Sequence, residues 1–184
     1  MTIPNIITVL RFLLVPFIIN AMLDGHMGWA LAGFVLAGVS DGVDGFIARQ
    51  FDQRSELGAY LDPLADKLLL VSVFVVLGFI GELPTWLVIA IVSRDAMIVG
   101  AVTLSAVMGH PVKVHPLFVS KANTLVQILL ATVALGELAF APGPDWLRSG
   151  LITVTALLTG ASATAYLVTW LQHMGGYGAH EEDT

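Results

Sequence analysis

Four aspartates stand at fixed spacing among small residues between Asp41 and Asp66. The run reads Asp41-Gly42-Val43-Asp44-Gly45-Phe46-Ile47-Ala48-Arg49, then eight residues, then Gly58-Ala59-Tyr60-Leu61-Asp62-Pro63-Leu64-Ala65-Asp66. Asp41 and Asp44 are three apart, Asp62 and Asp66 four apart, so each pair shares one face if its segment is helical. Two antiparallel helices joined by a short turn would bring the two faces together. The result would be a four-carboxylate pocket for one or two divalent ions. Hard oxygen ligands suit Mg²⁺, Mn²⁺ or Ca²⁺. Two such ions about 4 Å apart can clamp the phosphates of a nucleotide diphosphate and stabilise a leaving group.

The neighbours of the carboxylates fit that chemistry. Gly45 and Gly58 let ligand or backbone approach closely. Ala48 permits close packing of helices in a membrane. Arg49 offers a planar fork to a diphosphate. Asp66, last in the series, could take a proton from an acceptor hydroxyl and so act as general base. A purely structural ion-pair network is a poor alternative. Four aspartates would have only Lys67, Arg49 and Arg94 to pair with.

The rest of the chain is membrane-like. Of 184 residues, 57% are hydrophobic and 12% charged, with a mean hydropathy of +0.85. Soluble domains carry about 25% charged residues. Four carboxylates this close to hydrocarbon are costly unless compensated. The absence of cysteine excludes disulfides and thiolate metal sites. A net charge of −6 argues against nucleic acid as a partner. One membrane domain is expected over 1–175, followed by a disordered acidic tail, 176–184, that holds Glu181, Glu182 and Asp183. The first apolar segment carries Arg11 and no small-residue cleavage site follows it, so it reads as a retained helix. With no Arg- and Ser-rich leader in the sequence, a bacterial inner membrane is the expected location.

A spanning helix needs about 20 mostly apolar residues. Six candidates emerge: 6–23, 27–49, 57–80, 85–108, 117–140 and 146–172. Turn chemistry separates them at Asp24-Gly25, Gly81-Glu82-Leu83-Pro84, Gly109-His110-Pro111 and Pro142-Gly143-Pro144-Asp145. Arg49 and Arg54 flank one turn, Lys113 and Lys121 another, whereas the opposite loops hold mainly Asp24, Glu82 and Asp145. Basic residues mark the cytoplasmic side. The expected fold is therefore an all-α integral membrane protein with six transmembrane helices. Both termini and a polar, metal-binding cavity would face the cytoplasm.

Outside the aspartate run the candidates have two readings each. Arg94 and Asp95, inside the fourth helix, are either functional or an ion pair with a neighbouring helix. Arg11 either faces the cavity or snorkels to the interface. Lys121 either binds a phosphate or is simply a positive-inside residue. Asn5 could cap the first helix. His110 and His115 fit no zinc spacing. Trp29, Trp86, Trp146 and Trp170 lie near helix ends, where interface anchoring explains them.

The aspartate run resembles the signature of the CDP-alcohol phosphatidyltransferase family. That signature is Asp, two residues, Asp-Gly, two residues, Ala-Arg, eight residues, Gly, three residues, Asp, three residues, Asp. Every specified position is filled here, by Asp41, Asp44, Gly45, Ala48, Arg49, Gly58, Asp62 and Asp66. The resemblance implies a dimeric membrane enzyme that uses Mg²⁺ or Mn²⁺, expected as two ions, to transfer a phosphatidyl group from CDP-diacylglycerol to an alcohol, releasing CMP. It implies that Asp41, Asp44, Asp62 and Asp66 serve the metals and that Gly45, Ala48, Arg49 and Gly58 line the CDP-lipid site, with Asn5 a further candidate there. Lys121, Arg94 and Arg11 become candidates for binding the acceptor.

The acceptor itself is read from shorter matches. The opening 3–11 is similar to both the glycerophosphate-using and the cardiolipin-forming branches of that family. The segments 45–49, 93–97, 120–127 and 161–166 are similar to the mitochondrial-type cardiolipin synthases. Phosphatidylglycerol is therefore the expected acceptor and glycerol 3-phosphate the alternative. A divalent-cation transporter would instead place carboxylates near the bilayer midplane in repeated halves, and no repeat is visible here. A non-catalytic scaffold has no need of all four aspartates with Gly45 and Gly58.

Overall fold

The computed structural model describes the backbone of residues 3–50, 56–107 and 118–181, and the side chains of 10–41, 64–101, 103–104 and 118–172. Among the described residues there are six helices and no strand: α1 Ile3–Leu23, α2 Met27–Gln50, α3 Glu56–Phe79, α4 Thr85–Val107, α5 Phe118–Ala139 and α6 Asp145–Glu181. The boundaries follow the apolar segments and their turn residues closely. Helix α6 is the exception, running nine residues past the expected end at 172.

Glycine chemistry ends α1 and α3 in the same way. Gly25 and Gly81 have φ of 77° and 84°. After α1, His26 N–H donates to the Ala21 carbonyl at 2.8 Å and Gly25 N–H to Met22 at 3.2 Å. After α3, Glu82 N–H donates to Leu77 at 2.9 Å and Gly81 N–H to Gly78 at 3.2 Å. Both are Schellman caps, in which a residue without Cβ takes the left-handed conformation and the last carbonyls are satisfied. These two tight turns hold α1 against α2 and α3 against α4.

Two other glycines let helices approach. A Cβ on Gly33 would lie 2.8 Å from Ile18 Cγ1 of α1, and one on Gly78 would lie 2.8 Å from Val88 Cγ2 of α4. Small residues at crossings are what brings helices together in lipid, where no hydrophobic force between them operates. Helix α1 packs on α2 and α3, α2 on α5, α5 on α6, α6 on α4, and α3 on α4 and α5. Ile18, Met22, Phe34, Val73, Phe74, Leu77, Leu87, Ile91, Leu130 and Leu135 form the shared core.

The outside of this bundle is apolar. Leu13, Val39, Phe79, Ile89, Val99, Phe118, Leu157 and Leu171 are exposed. A patch so extensive belongs against lipid rather than water. Among the described residues two spans, Phe118–Ala139 and Asp145–Gln172, are long and apolar enough to cross a membrane. The chain is a membrane protein. Trp29, Trp86 and Trp146 are exposed in the first turns of α2, α4 and α6, at one end of the bundle.

That end is tied by an ionic latch. Arg148 of α6 donates to Glu82 Oε2 at 2.7 Å, to the Glu82 carbonyl, and to Glu137 Oε2 of α5 at 3.3 Å. It joins the α3–α4 turn to α5 and α6.

Candidate active site

Three helices meet at the other end of the bundle. Arg11 enters from α1 and is 1% exposed. Its Nη1 donates to Asp66 Oδ1 of α3 at 2.7 Å, and its Nη2 lies 3.1 Å from Asp41 Oδ1 of α2. The first and last carboxylates of the aspartate run thus converge on one buried guanidinium. A planar fork suits this, because its nitrogens can address two carboxylates at once. Each carboxylate is only partly used. The Asp41 and Asp66 side chains stay 46% and 43% exposed.

The remaining residues of the run lie on the same helices. Asp44, Gly45, Ala48 and Arg49 continue α2, and Gly58 and Asp62 precede Asp66 on α3. Asn5 is in the first turn of α1. The side chains at these positions lie outside the described residues, as do Arg54, Lys113, His110 and His115 in 51–55 and 108–117.

A second polar cluster lies beside the first. Lys67, next to Asp66 on α3, donates to both oxygens of Asp95 at 2.9 and 2.8 Å. Arg94 also binds Asp95, from Nη1 at 2.6 Å. Its Nη2 donates to Ser120 Oγ of α5 at 2.6 Å and to Ser162 Oγ of α6 at 2.5 Å, and Nε to Ser162 at 3.1 Å. The Arg94 guanidinium carbon also stands 5.6 Å from the centre of the Tyr166 ring. Arg94 and Asp95 are 3% and 8% exposed. The ion pair to a neighbouring helix, one of their two expected readings, is therefore present. Lys121 is exposed and has no ion-pair partner among the described residues.

Below Arg94 a polar stripe continues between α5 and α6. Asn123, Gln127, Thr155, Thr159 and Ser162 are all buried. Thr159 Oγ1 donates to Asn123 Oδ1 at 3.1 Å, whereas both ends of the Gln127 amide and Thr155 Oγ1 have no partner. Reading the sequence residue by residue missed this stripe, although it was written in the spacing. Ser120, Asn123 and Gln127 recur at i, i+3 and i+7, and Thr155, Thr159, Ser162 and Tyr166 at i, i+4, i+7 and i+11.

A cleft of about 390 Å³ opens between α2, α3 and α5. Asp41, Asp66 and Lys67 line its polar end; Phe34, Leu69, Leu70 and Ile128 line its apolar wall. Val35, Val39 and Ile128 on its rim are exposed on the apolar exterior. The cleft thus brings two carboxylates and an ammonium together at the edge of an apolar wall.

The comparisons with known proteins agree with this chemistry. The family model described as CDP-alcohol phosphatidyltransferase matches residues 1–171. A relative from Mycobacterium tuberculosis (strain ATCC 25618 / H37Rv), whose name includes the words cardiolipin synthase, is 39% identical over 140 residues, covering 74% of this chain and 66% of its own. The Homo sapiens protein named cardiolipin synthase (CMP-forming) is 35% identical over 181 residues, covering 90% of this chain and 60% of its own. The Streptomyces coelicolor (strain ATCC BAA-471 / A3(2) / M145) protein of the same name is 33% identical over 172 residues, covering 90% and 78%. The chain thus spans 66% and 60% of the length of the mycobacterial and human relatives. With a matched region that takes in α1 to α5 and most of α6, and so every helix that carries a residue of the site, the chain belongs to the CDP-alcohol phosphatidyltransferase family.

Proposed function

We propose that this protein transfers the phosphatidyl group of CDP-diacylglycerol to a hydroxyl of phosphatidylglycerol, forming cardiolipin and releasing CMP. One observation carries the reading. Asp41 and Asp66, the outermost carboxylates of the run, converge on Arg11 and line a cleft whose apolar residues Val35, Val39 and Ile128 are exposed. A lipid acceptor needs such a lateral opening; glycerol 3-phosphate does not. The names of the relatives support the same acceptor.

Among the described residues Asp41 and Asp66, short of a full ligand set, are oxygen donors of the kind a hard divalent cation takes. Two carboxylates converge, and both keep surface open to the cleft. Asp41 and Asp66, with Asp44 and Asp62, would hold Mg²⁺ or Mn²⁺, two ions in the full site. When bound, such ions draw charge from the donor's diphosphate and from the departing CMP. Asp66 takes the proton of the acceptor hydroxyl. The hydroxyl oxygen forms a bond to the phosphorus of the phosphatidyl group, and the bond from that phosphorus to CMP breaks. Gly45, Ala48, Arg49 and Gly58, with Asn5, line the CDP-lipid site. Arg11 holds the two outer carboxylates at fixed separation while the ligand is absent.

The wider reading follows. All six helices span the membrane, with both termini and the site on the cytoplasmic side, in a bacterial inner membrane. Residues 1–175 make one domain, 176–184 an acidic tail, and two chains pair as a homodimer. The testing experiment is CMP release by purified protein in detergent with CDP-diacylglycerol, Mg²⁺ or Mn²⁺, and each acceptor alone. Release with phosphatidylglycerol supports the reading. Release only with glycerol 3-phosphate makes the protein a phosphatidylglycerophosphate synthase instead.

A further inference from the structure

We infer that Lys67 binds the phosphate of the acceptor, with Asp95 as the residue that positions its ammonium. The inference rests on the transfer reaction proposed above and names the residue that recognises its second substrate.

Three observations lead to Lys67. Among the described side chains lining the cleft it is the one basic residue. Its side chain is 37% exposed, whereas Arg11 and Arg94 are buried. Its ammonium has three donors and Asp95 takes two, at 2.9 and 2.8 Å. That leaves one donor on a side chain that lines the cleft. Arg94, by contrast, is bound by Asp95, Ser120 and Ser162, and Arg11 by Asp41 and Asp66.

Charge supports the same assignment. Among the described residues, Lys67 and Arg94 share one carboxylate, Asp95. The cleft that Lys67 lines has an apolar wall, and an anion that reaches the ammonium there is held more strongly than in water. The carboxylate run would match the donor's diphosphate through metal. A second anion, the acceptor's phosphate, then matches Lys67. Asp66 and Lys67 are consecutive on α3, with Cα atoms about 3.8 Å apart. Both line the cleft. An acceptor whose phosphate meets Lys67 can place a hydroxyl of its glycerol near Asp66.

Asp95 makes this geometry definite. A lysine on a flexible stem has many rotamers, and two bonds to one carboxylate hold it in a single direction. Arg94, anchored on α5 and α6, holds Asp95 in turn.

The test is steady-state kinetics on the full chain in detergent micelles, varying donor and acceptor separately, for wild type, Lys67→Met, Lys67→Gln and Lys67→Arg. Wild type first identifies the acceptor, phosphatidylglycerol or glycerol 3-phosphate; both carry phosphate, and the KM is read on whichever is used. Lys67→Met should raise the acceptor KM about tenfold or more, as removal of a charged hydrogen bond does. The KM for CDP-diacylglycerol should stay within about twofold, and Lys67→Arg should recover most of the acceptor affinity. Lys67→Gln, which keeps the side chain polar, carries the same reading if Lys67→Met does not fold. An unchanged acceptor KM, or a rise confined to the donor KM, would overturn the inference while leaving the transfer reaction standing. Turnover of glycerol 3-phosphate alone, with the Lys67 effect intact, would overturn the choice of acceptor and leave Lys67 in its role. Activity only with an alcohol that lacks phosphate would overturn both.

Discussion

Asp66 of α3 accepts a hydrogen bond at 2.7 Å from Arg11 of α1, across 55 residues of sequence. The guanidinium is buried and the carboxylate is not, so the pair forms the floor of a site whose upper face stays open. One buried positive charge lets the two carboxylates stand close together.

Removing Arg11 should therefore cost both folding and activity. Arg11→Met leaves two carboxylates without their counter-charge, and breaking one side of such a group is destabilising. The expected result is a fall in Tm of about 5 °C or more and at least a tenfold loss of CMP release, on the order expected for a lost charged pair. Arg11→Lys should fall between, since an ammonium lacks the fork that addresses both carboxylates. Thermal unfolding in detergent with a parallel activity assay checks it; a Met variant as stable and active as wild type would remove the counter-ion role.

Asp66→Asn should separate chemistry from binding. The amide cannot take the acceptor's proton, so the rate should fall about 10²-fold or more. Binding of the CDP-lipid, measured by calorimetry, should remain detectable. Asp41→Ala should instead weaken metal and nucleotide together. An unchanged metal requirement in that variant would contradict its assignment as a ligand.

Gln127 offers a contrast. It is fully buried and both ends of its amide lack a partner. Replacing an unsatisfied polar group with an apolar one of similar size is neutral or stabilising. Gln127→Met should keep or raise Tm. Asn123→Leu should lower it, because Thr159 then loses its acceptor. A clear drop in Tm for Gln127→Met would show that the amide has a partner of its own.

The Arg148 latch is expected to matter for stability alone. Arg148→Met frees Glu82 and Glu137 at the end of the bundle away from Asp41 and Asp66. Tm should fall by a few degrees, about the value of one partly exposed ionic group. KM for donor and acceptor should not move, and a change in either would link that end to the site.

Much of this was legible in the chain. Asp24-Gly25 and Ile80-Gly81 announce helix ends because a left-handed residue is needed there, and glycine supplies it. The four aspartates stand out by their type and gaps, and the structure brings two of them, Asp41 and Asp66, together on Arg11. The pairing of Arg11 with Asp41 and Asp66 was not legible. It depends on how α1 lies across α2 and α3, a matter of packing between distant segments. Lys67 was hidden for the same reason. Its bond to Asp95 crosses to α4, a contact between segments 28 residues apart. The polar stripe of α5 and α6 was legible as a period, yet its meaning needed both helices side by side. The sixth span was expected to end at 172, where the apolar run stops, whereas α6 continues through Gly175, Gly176 and Gly178 to Glu181.

The most direct test of the proposed reaction is the origin of the product's atoms. Purified protein would be given CDP-diacylglycerol with ¹³C in its acyl chains and unlabelled phosphatidylglycerol, with Mg²⁺ or Mn²⁺. Cardiolipin and CMP would then be measured by mass spectrometry. The account predicts one CMP released for each cardiolipin formed, with label in one phosphatidyl half only. Cardiolipin without label, or CMP released with no cardiolipin, would contradict it.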